Sequence, residues 1–240
     1  MKGAHPRILT INGGSSSIKF ALSEAGDPPG GFCRAGFPLV MTIGHSTHTL
    51  EAFIRLLQAH EASCVVDVRT VPRSRHNPQF DKASLHRSLK KAGMGYVHIP
   101  GLGGLRQARR DSPNAGWRND SFRGYADYMQ TPEFAQSLEN LIRLASQDRI
   151  VLMCAEAVPW RCHRSLIADA LLVRGIRAEH IMSAARRQVH ALTPFARVRG
   201  TVITYPTAAS ESTQEEPSAK RSRPQQVEKA RQAKERASTS

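Results

Sequence analysis

Seven chemically capable side chains fall within eleven positions: Cys154, Glu156, Trp160, Arg161, Cys162, His163 and Arg164. A cysteine acts as a nucleophile in its thiolate form, and neighbouring cations favour that form. Arg161, His163 and Arg164 supply such cations. Cys154 is therefore a candidate nucleophile; the competing reading is a small buried apolar residue, a common fate of free cysteine. Glu156 can serve as an acid or base, or orient a ribose hydroxyl. Its alternative role is a salt bridge to Arg69 or Arg164. His163 can move protons or bind an anion, or simply cap a helix. Cys154, Glu156 and His163 make up the candidate catalytic set. Cys154, Cys162, His163, His45 and Cys64 are all suitable soft ligands. The close Cys-x₂-Cys pairs typical of zinc motifs are absent, so no metal is expected.

The flanking sequence says what must hold these groups. Ile150 to Met153 is a continuous apolar run, as expected of a strand covered on both faces. Leu166, Ile167, Ala170 and Leu171 recur at helical spacing, and Gly175 can end that helix. In open α/β sheets, ligands gather where a strand's carboxyl end meets the next helix N-terminus. The reactive cluster occupies such a strand–loop–helix junction, and Arg164 lies where free backbone N–H groups can meet a phosphate.

Two further strands end in polar residues. Leu39–Ile43 is followed by His45, and a helix capped by Thr47 or Thr49 carries Leu50, Phe53, Ile54 and Leu57 on one face. Cys64–Val68 encloses Asp67 and leads into Arg69. From Arg69 to Lys91, seven residues are Lys or Arg and only Asp81 is acidic. That stretch contains Arg73 and a helix to Lys91 that Asp81 is placed to cap. Tyr96–Ile99 reads as a third strand. Pro100 to Asp120 is too rich in Gly, Arg and Pro for a regular element, and a loop of that length inside a domain is usually functional or disordered. Between Arg106 and Tyr125, five arginines interleave with Trp117, Phe122 and Tyr125, a mixture suited to phosphate contact with base stacking. Thr131-Pro132-Glu133 is a helix start with Pro at the first position. A strand closes at His180–Met182, and a last strand is expected at Thr201–Tyr205. Strand and helix alternate from Leu39 to Met182, which implies a three-layer α/β domain, Rossmann-like, with a largely parallel sheet and helices on both faces.

The chain has 240 residues and a formal net charge of +14. The stretch from Thr207 onward holds seven basic and five acidic residues, so +12 belongs to the rest. A basic body favours anionic partners: a phosphate-bearing ligand, a nucleotide or nucleic acid. Four cysteines without a paired framework fit a reducing compartment, and a cytoplasmic location is expected. No apolar run reaches the roughly 18 residues of a membrane span, so no membrane association is expected. The sequence names no cofactor.

Residues 7–22, RILTINGGSSSIKFAL, resemble the opening of acetate kinase, in which an Asn and a Ser-rich turn lie at the phosphate and magnesium site. Asn12 to Ser17 occupy the matching positions. The likeness stops at about residue 25, so residues 1–36 are read as a kinase-like remnant and linker; a simple β-hairpin with a Gly/Ser turn is the alternative. Five later motifs carry a second resemblance: TIGHSTHTLEAFIRLL, VDVRTVPRSRHNPQF, YVHIPGLGG, GWRNDSFRGYADYM and LMCAEAVPWRCHRSLIADAL. Together they resemble the DUF488 family, a domain of unknown function, over about residues 38–206. The resemblance implies a domain at 37–206 with matching positions at His45, Asp67, Arg69, Arg73, Trp117, Tyr125, Cys154, Glu156, Cys162, His163 and Arg164. The tail at 207–240 lacks the apolar content to bury a core and is expected to be disordered. Three readings of function follow. An enzyme-like domain would hold a phosphate-bearing ligand on His45, Asp67, Arg69, Arg73, Cys162 and Arg164, with Trp117 and Tyr125 as a lid. A non-catalytic nucleic-acid-binding module is the second. A thiol enzyme of sulfurtransferase or phosphatase type, using Cys154, is the third. A Cys-x₅-Arg phosphatase loop would need its Arg at position 160, where Trp160 stands.

Overall fold

A computed structural model describes residues 38–74 and 76–207, and the backbone of two N-terminal strands, β1 (Arg7–Ile11) and β2 (Ile18–Leu22). Those two pair antiparallel as a separate unit, with Ile11 opposite Ile18. The Asn12–Ser17 turn, the linker before residue 37, Arg75 and the tail beyond Thr207 lie outside the described residues.

The main unit is built on β3 (Leu39–Gly44), β4 (Cys64–Asp67), β5 (Gly95–His98), β6 (Ile150–Cys154), β7 (Arg177–Ser183) and β8 (Arg186–Val189). Their order in the sheet is β5-β4-β6-β3-β7-β8. The first five run parallel and β8 closes the edge antiparallel. The helices are α1 (Leu50–Ala59), α2 (Lys82–Lys91), α3 (Asp120–Tyr128), α4 (Pro132–Ala145) and α5 (Arg164–Leu172).

Because strand side chains alternate between faces, each central strand feeds two cores. Met41, Ile43, Val65, Val151 and Met153 pack with Phe53 and Leu57 of α1 and Leu85 and Leu89 of α2. Val40, Val66, Ile150, Leu152 and Cys154 pack the other way, with Tyr125 of α3, Phe134, Leu138 and Leu141 of α4, and Leu166, Ile167 and Leu171 of α5. The result is a three-layer α/β fold with helices on both faces of a largely parallel sheet, as the alternating pattern implies. No helix among the described residues is long and apolar enough to cross a membrane.

Local chemistry accounts for most element ends. The Thr49 hydroxyl accepts the Ala52 N–H at the start of α1, and the Thr131 hydroxyl accepts the Phe134 N–H at the start of α4. Gly175, at φ +74, follows α5. Asp81 stands at the N-cap of α2, but its carboxylate accepts the Ser74 N–H instead, at 2.8 Å, and so ties down the basic loop rather than the helix. The expected last strand is Val202–Thr204 (β10), paired only with Arg197–Arg199 (β9) in a two-stranded sheet apart from the main one. Helix α3 and strand β8 had no clear signal. Gly124 breaks the helical pattern of DSFRGYADY, and the reason for it is tertiary: a Cβ there would lie 2.6 Å from the Arg106 carbonyl oxygen.

A directed polar chain crosses the sheet next to α5. The Thr42 hydroxyl meets His180 Nδ1 at 2.8 Å, His180 Nε2 meets His190 Nδ1 at 3.1 Å, and His190 Nε2 meets Asp169 at 2.8 Å. Asp169 also accepts from the Thr193 N–H and hydroxyl and from the Tyr205 hydroxyl, which pins the C-terminal segment to α5. Burial, helped by His190 and Arg164, lowers the His180 pKa from 6.5 to about 4. His180 thus stays neutral in the fold while the unfolded chain takes up a proton below about pH 6.5. Stability should be fully present above that pH and fall as the pH drops from 6.5 towards 4, by up to about 3 kcal/mol for this residue. Urea unfolding at pH 7 and pH 4.5 checks this: His180→Gln should narrow the difference between the two, and an unchanged difference would remove His180 as the cause.

Candidate functional site

The carboxyl ends of β4, β6 and β3 lie side by side, with Gly44 opposite Cys154 and Asp67 opposite Met153. Two polar clusters form on this edge.

The first is centred on Asp67, which is fully buried. Its carboxylate accepts from the Arg69 N–H (3.0 Å), Arg69 Nε (2.9 Å), Arg69 Nη2 (2.7 Å) and the Tyr96 hydroxyl (2.8 Å). Arg69 Nη2 also donates to the Phe80 carbonyl at 2.8 Å. Arg69 Nη1 lies 3.3 Å from His45 Nε2. His45 Nδ1 is 3.0 Å from the Ser46 carbonyl, so its hydrogen is on Nδ1 and its Nε2 lone pair faces the guanidinium. Burial first, and the Arg69 charge as well, lower the His45 pKa to about 4, and the neutral ring stacks on Phe80 at 4.2 Å. Burial and the adjacent Asp67 charge raise the Tyr96 hydroxyl pKa.

The second cluster holds Cys154, Cys162, His163 and Arg164. His163 Nδ1 lies 3.9 Å from Cys154 Sγ and 3.7 Å from Cys162 Sγ, while Nε2 is 3.2 Å from the Val68 carbonyl. Since a carbonyl only accepts, Nε2 carries the hydrogen and Nδ1 presents its lone pair to the two sulfurs. Tyr125 packs beneath the imidazole, ring centroids 5.1 Å apart, and donates its hydroxyl to the Leu102 carbonyl. Arg164 is 1% exposed. Its Nη2 donates to the Glu156 carbonyl at 2.6 Å and its Nε to Cys162 Sγ at 3.3 Å. Gly44 makes room for that carbonyl: a Cβ on it would lie 1.9 Å from the Glu156 oxygen.

The charges in this cluster sort themselves out. No carboxylate among the described residues forms a salt bridge with Arg164, and a buried unpaired cation is costly. A thiolate at Cys162 is the available counter-charge. The hydrogen bond from Cys154, then His163 and Arg164, hold the Cys162 thiol pKa well below its usual value. The same sulfur–sulfur hydrogen bond, with burial, raises the Cys154 pKa. Of the two thiols, Cys162 is the one these neighbours favour as thiolate and Cys154 the one they disfavour.

Residues 49–171 match the family model described as Domain of unknown function DUF488. The chain belongs to the DUF488 family. No curated protein and no solved structure matches it. The matched segment contains both clusters except His45, which lies just before it, directly after β3.

Within the DUF488 domain, His45, Asp67 and Arg69 come together, as do Cys154, Cys162, His163, Arg164 and Tyr125. Three of the sequence candidates stay apart from these clusters. The Glu156 side chain is exposed and its carboxylate accepts the Val158 N–H, so this residue serves the cluster through its backbone carbonyl. Arg73 is exposed on the basic loop. Trp117 packs into an aromatic group with Phe122, Phe195 and Tyr205 at 4.7, 4.9 and 5.5 Å. Tyr125 is fully buried and forms a floor under His163, not a lid. The residues that sequence reasoning missed are Tyr96, His98 and Gly104. His98 Nε2 lies 2.9 Å from the Arg69 carbonyl, and Gly104 packs on the His163 ring. Polar residues at the end of an apolar strand were the available signal for Tyr96 and His98.

Arg69 is spent on Asp67, 6% and 0% exposed. Arg69→Ala leaves a buried carboxylate uncompensated, at a cost of about 3–5 kcal/mol. A melting-temperature drop of roughly 6–20 °C is expected for a domain of this size. Arg69→Lys should recover only part of it, because the planar fork that reaches both carboxylate oxygens and the Phe80 carbonyl is lost. A near-native melting temperature for Arg69→Ala would show that the pair is not what holds this edge.

Proposed function

We propose that this DUF488 domain is a thiol-dependent enzyme in which Cys162 is the nucleophile, Cys154 its partner thiol and His163 the neighbouring base. The observation that carries this reading is the buried guanidinium of Arg164, 3.3 Å from Cys162 Sγ and without a carboxylate partner among the described residues. A sulfur beside such a charge is favoured as the thiolate, the form that attacks. The position at the carboxyl edge of a parallel sheet is where α/β enzymes place their chemistry. Cys154 and Cys162 are 8% and 4% exposed, so the electrophile that reaches them is small. Transfer of a single sulfur atom fits that access better than attack on a phosphate ester. A phosphatase needs a free guanidinium to hold the ester, and Arg164 is already bonded to the Glu156 carbonyl and to Cys162.

Residue-resolved labelling tests the reading. Metal-stripped protein carrying Cys33→Ser is treated at neutral pH with a small thiol-specific reagent, methyl methanethiosulfonate, and digested for mass spectrometry. Cys162 should label first, ahead of Cys154 and of Cys64, whose thiol burial pushes up to about 11. Labelling of Cys64 or Cys154 before Cys162 contradicts the assignment.

A phosphate-bearing or nucleic-acid ligand is a second reading, supported by a different feature. Arg106, Arg109, Arg110 and Arg123 line a cleft of about 620 Å³ together with Ser112 and Ser121. Here Arg109 and Arg110 are exposed, unlike Arg69 and Arg164, while Arg109 also pairs with Asp111 and Arg123 with Asp120 of the same cleft. If a single-stranded oligonucleotide binds here, its affinity should fall steeply with salt, and Arg110→Ala should reduce the slope by about one phosphate contact. Salt-independent binding, or none, ends this reading.

A further inference from the structure

The geometry points to a metal site: Cys154, Cys162 and His163 bind one soft divalent ion, zinc above all, and leave its fourth position open. This goes beyond the thiol reading and stands on geometry alone. The ligand atoms of the three residues all lie within 4.8 Å of one another. A tetrahedral zinc with bonds of about 2.3 Å to sulfur and about 2.0 Å to nitrogen sets neighbouring sulfur and nitrogen roughly 3.6 Å apart. The observed separations from His163 Nδ1 to the two sulfurs are 3.7 and 3.9 Å, each within a few tenths of an ångström of that spacing.

The surroundings are those of a ligand set. His163 needs a bare nitrogen facing the ion and a hydrogen on the other nitrogen, held by an acceptor. The Val68 carbonyl, 3.2 Å from Nε2, meets that need. Arg164 Nε donates to Cys162 Sγ, an outer hydrogen bond that steadies a coordinating thiolate. Two sulfurs and an imidazole select zinc or another soft ion over magnesium, calcium or manganese. Three protein donors gather among the described residues, so water or a substrate atom takes the fourth place, the pattern of sites where zinc does chemistry. Coordination takes both sulfurs as thiolates, and the protons their thiols held go to solvent.

Gly104 supplies an independent handle. A Cβ at this position would lie 2.5 Å from His163 Nδ1, so Gly104→Ala pushes the imidazole off the sulfurs while leaving both cysteines in place.

The test uses the full chain carrying Cys33→Ser, stripped with a chelator and equilibrated with zinc or cobalt. One zinc per chain is expected, and the cobalt form should show thiolate-to-cobalt charge-transfer absorption with the intense visible bands of a tetrahedral ion. Cys154→Ser, Cys162→Ser and His163→Gln should each weaken zinc about tenfold or more, Gly104→Ala likewise, and Cys64→Ser should leave it unchanged. Circular dichroism of each variant separates lost ligation from lost fold, and Gly104→Ala keeps the test decisive if a cysteine variant does not fold. Folded wild type without the cobalt–thiolate absorption, or zinc binding indifferent to Cys162→Ser and Gly104→Ala, overturns the site. Zinc bound as expected, with Cys162 not preferentially labelled in stripped protein, retains the metal site and removes the thiol reading; the reverse outcome does the opposite.

Discussion

The site depends on one buried positive charge. Arg164 sits at the first turn of α5 with 1% of its surface exposed. Removing a guanidinium from water costs several kcal/mol unless its donors are met. Here the acceptors are two backbone carbonyls of the Glu156–Ala157 loop and the sulfur of Cys162. These bonds fix the loop after β6 and orient Cys162. The loop in turn passes across the end of β3, where Gly44 has no side chain to obstruct it, and the His45 and Ser46 N–H groups donate to the Cys154 and Ala155 carbonyls. Strand β3, strand β6 and helix α5 are thereby locked at the edge where the two polar clusters lie.

The Asp67–Arg69 pair has the same logic with the sign reversed. Asp67 is buried and takes four hydrogen bonds from Arg69 and one from Tyr96. Arg69 then reaches across to Phe80 and His45, binding the basic loop to the ends of β3 and β4. The two clusters meet again at Val68: this residue, between Asp67 and Arg69, offers its carbonyl to His163. A change at the end of β4 is thus felt directly in the orientation of the imidazole facing Cys154 and Cys162.

A third buried charge stabilises the far end of the domain. Asp169, on α5, gathers His190, Thr193 and Tyr205, and Asp127 on α3 gathers Arg109, Ser112 and Asn114. Asn114 also accepts the Tyr205 N–H at 2.9 Å, which links the two sets. Such networks explain how the long irregular segment before α3 stays ordered without secondary structure of its own, since a satisfied polar network substitutes for a strand ladder.

The sequence by itself determined the layers, because apolar runs of strand length and apolar stripes of helical spacing report burial directly. It also placed the reactive residues at strand ends, since polar groups that interrupt such runs must lie at the sheet edge. Cys154, Asp67 and His45 were legible on that ground. What each group does there was decided by tertiary structure. Arg69 and Arg164 look alike in the sequence to any ligand-binding arginine; only the fold shows that the first is consumed by a carboxylate and the second by carbonyls and a sulfur. The spacing of Cys154 and Cys162 argued against a metal. A short-range motif registers only ligands that a local turn brings together, whereas here a loop, a 3₁₀ turn (Pro159–Arg161) and a helix start fold two sulfurs onto one imidazole. Helix α3 was hidden for a similar reason: its Gly124 answers to the backbone of a distant loop, and close approach between segments leaves no trace in local periodicity.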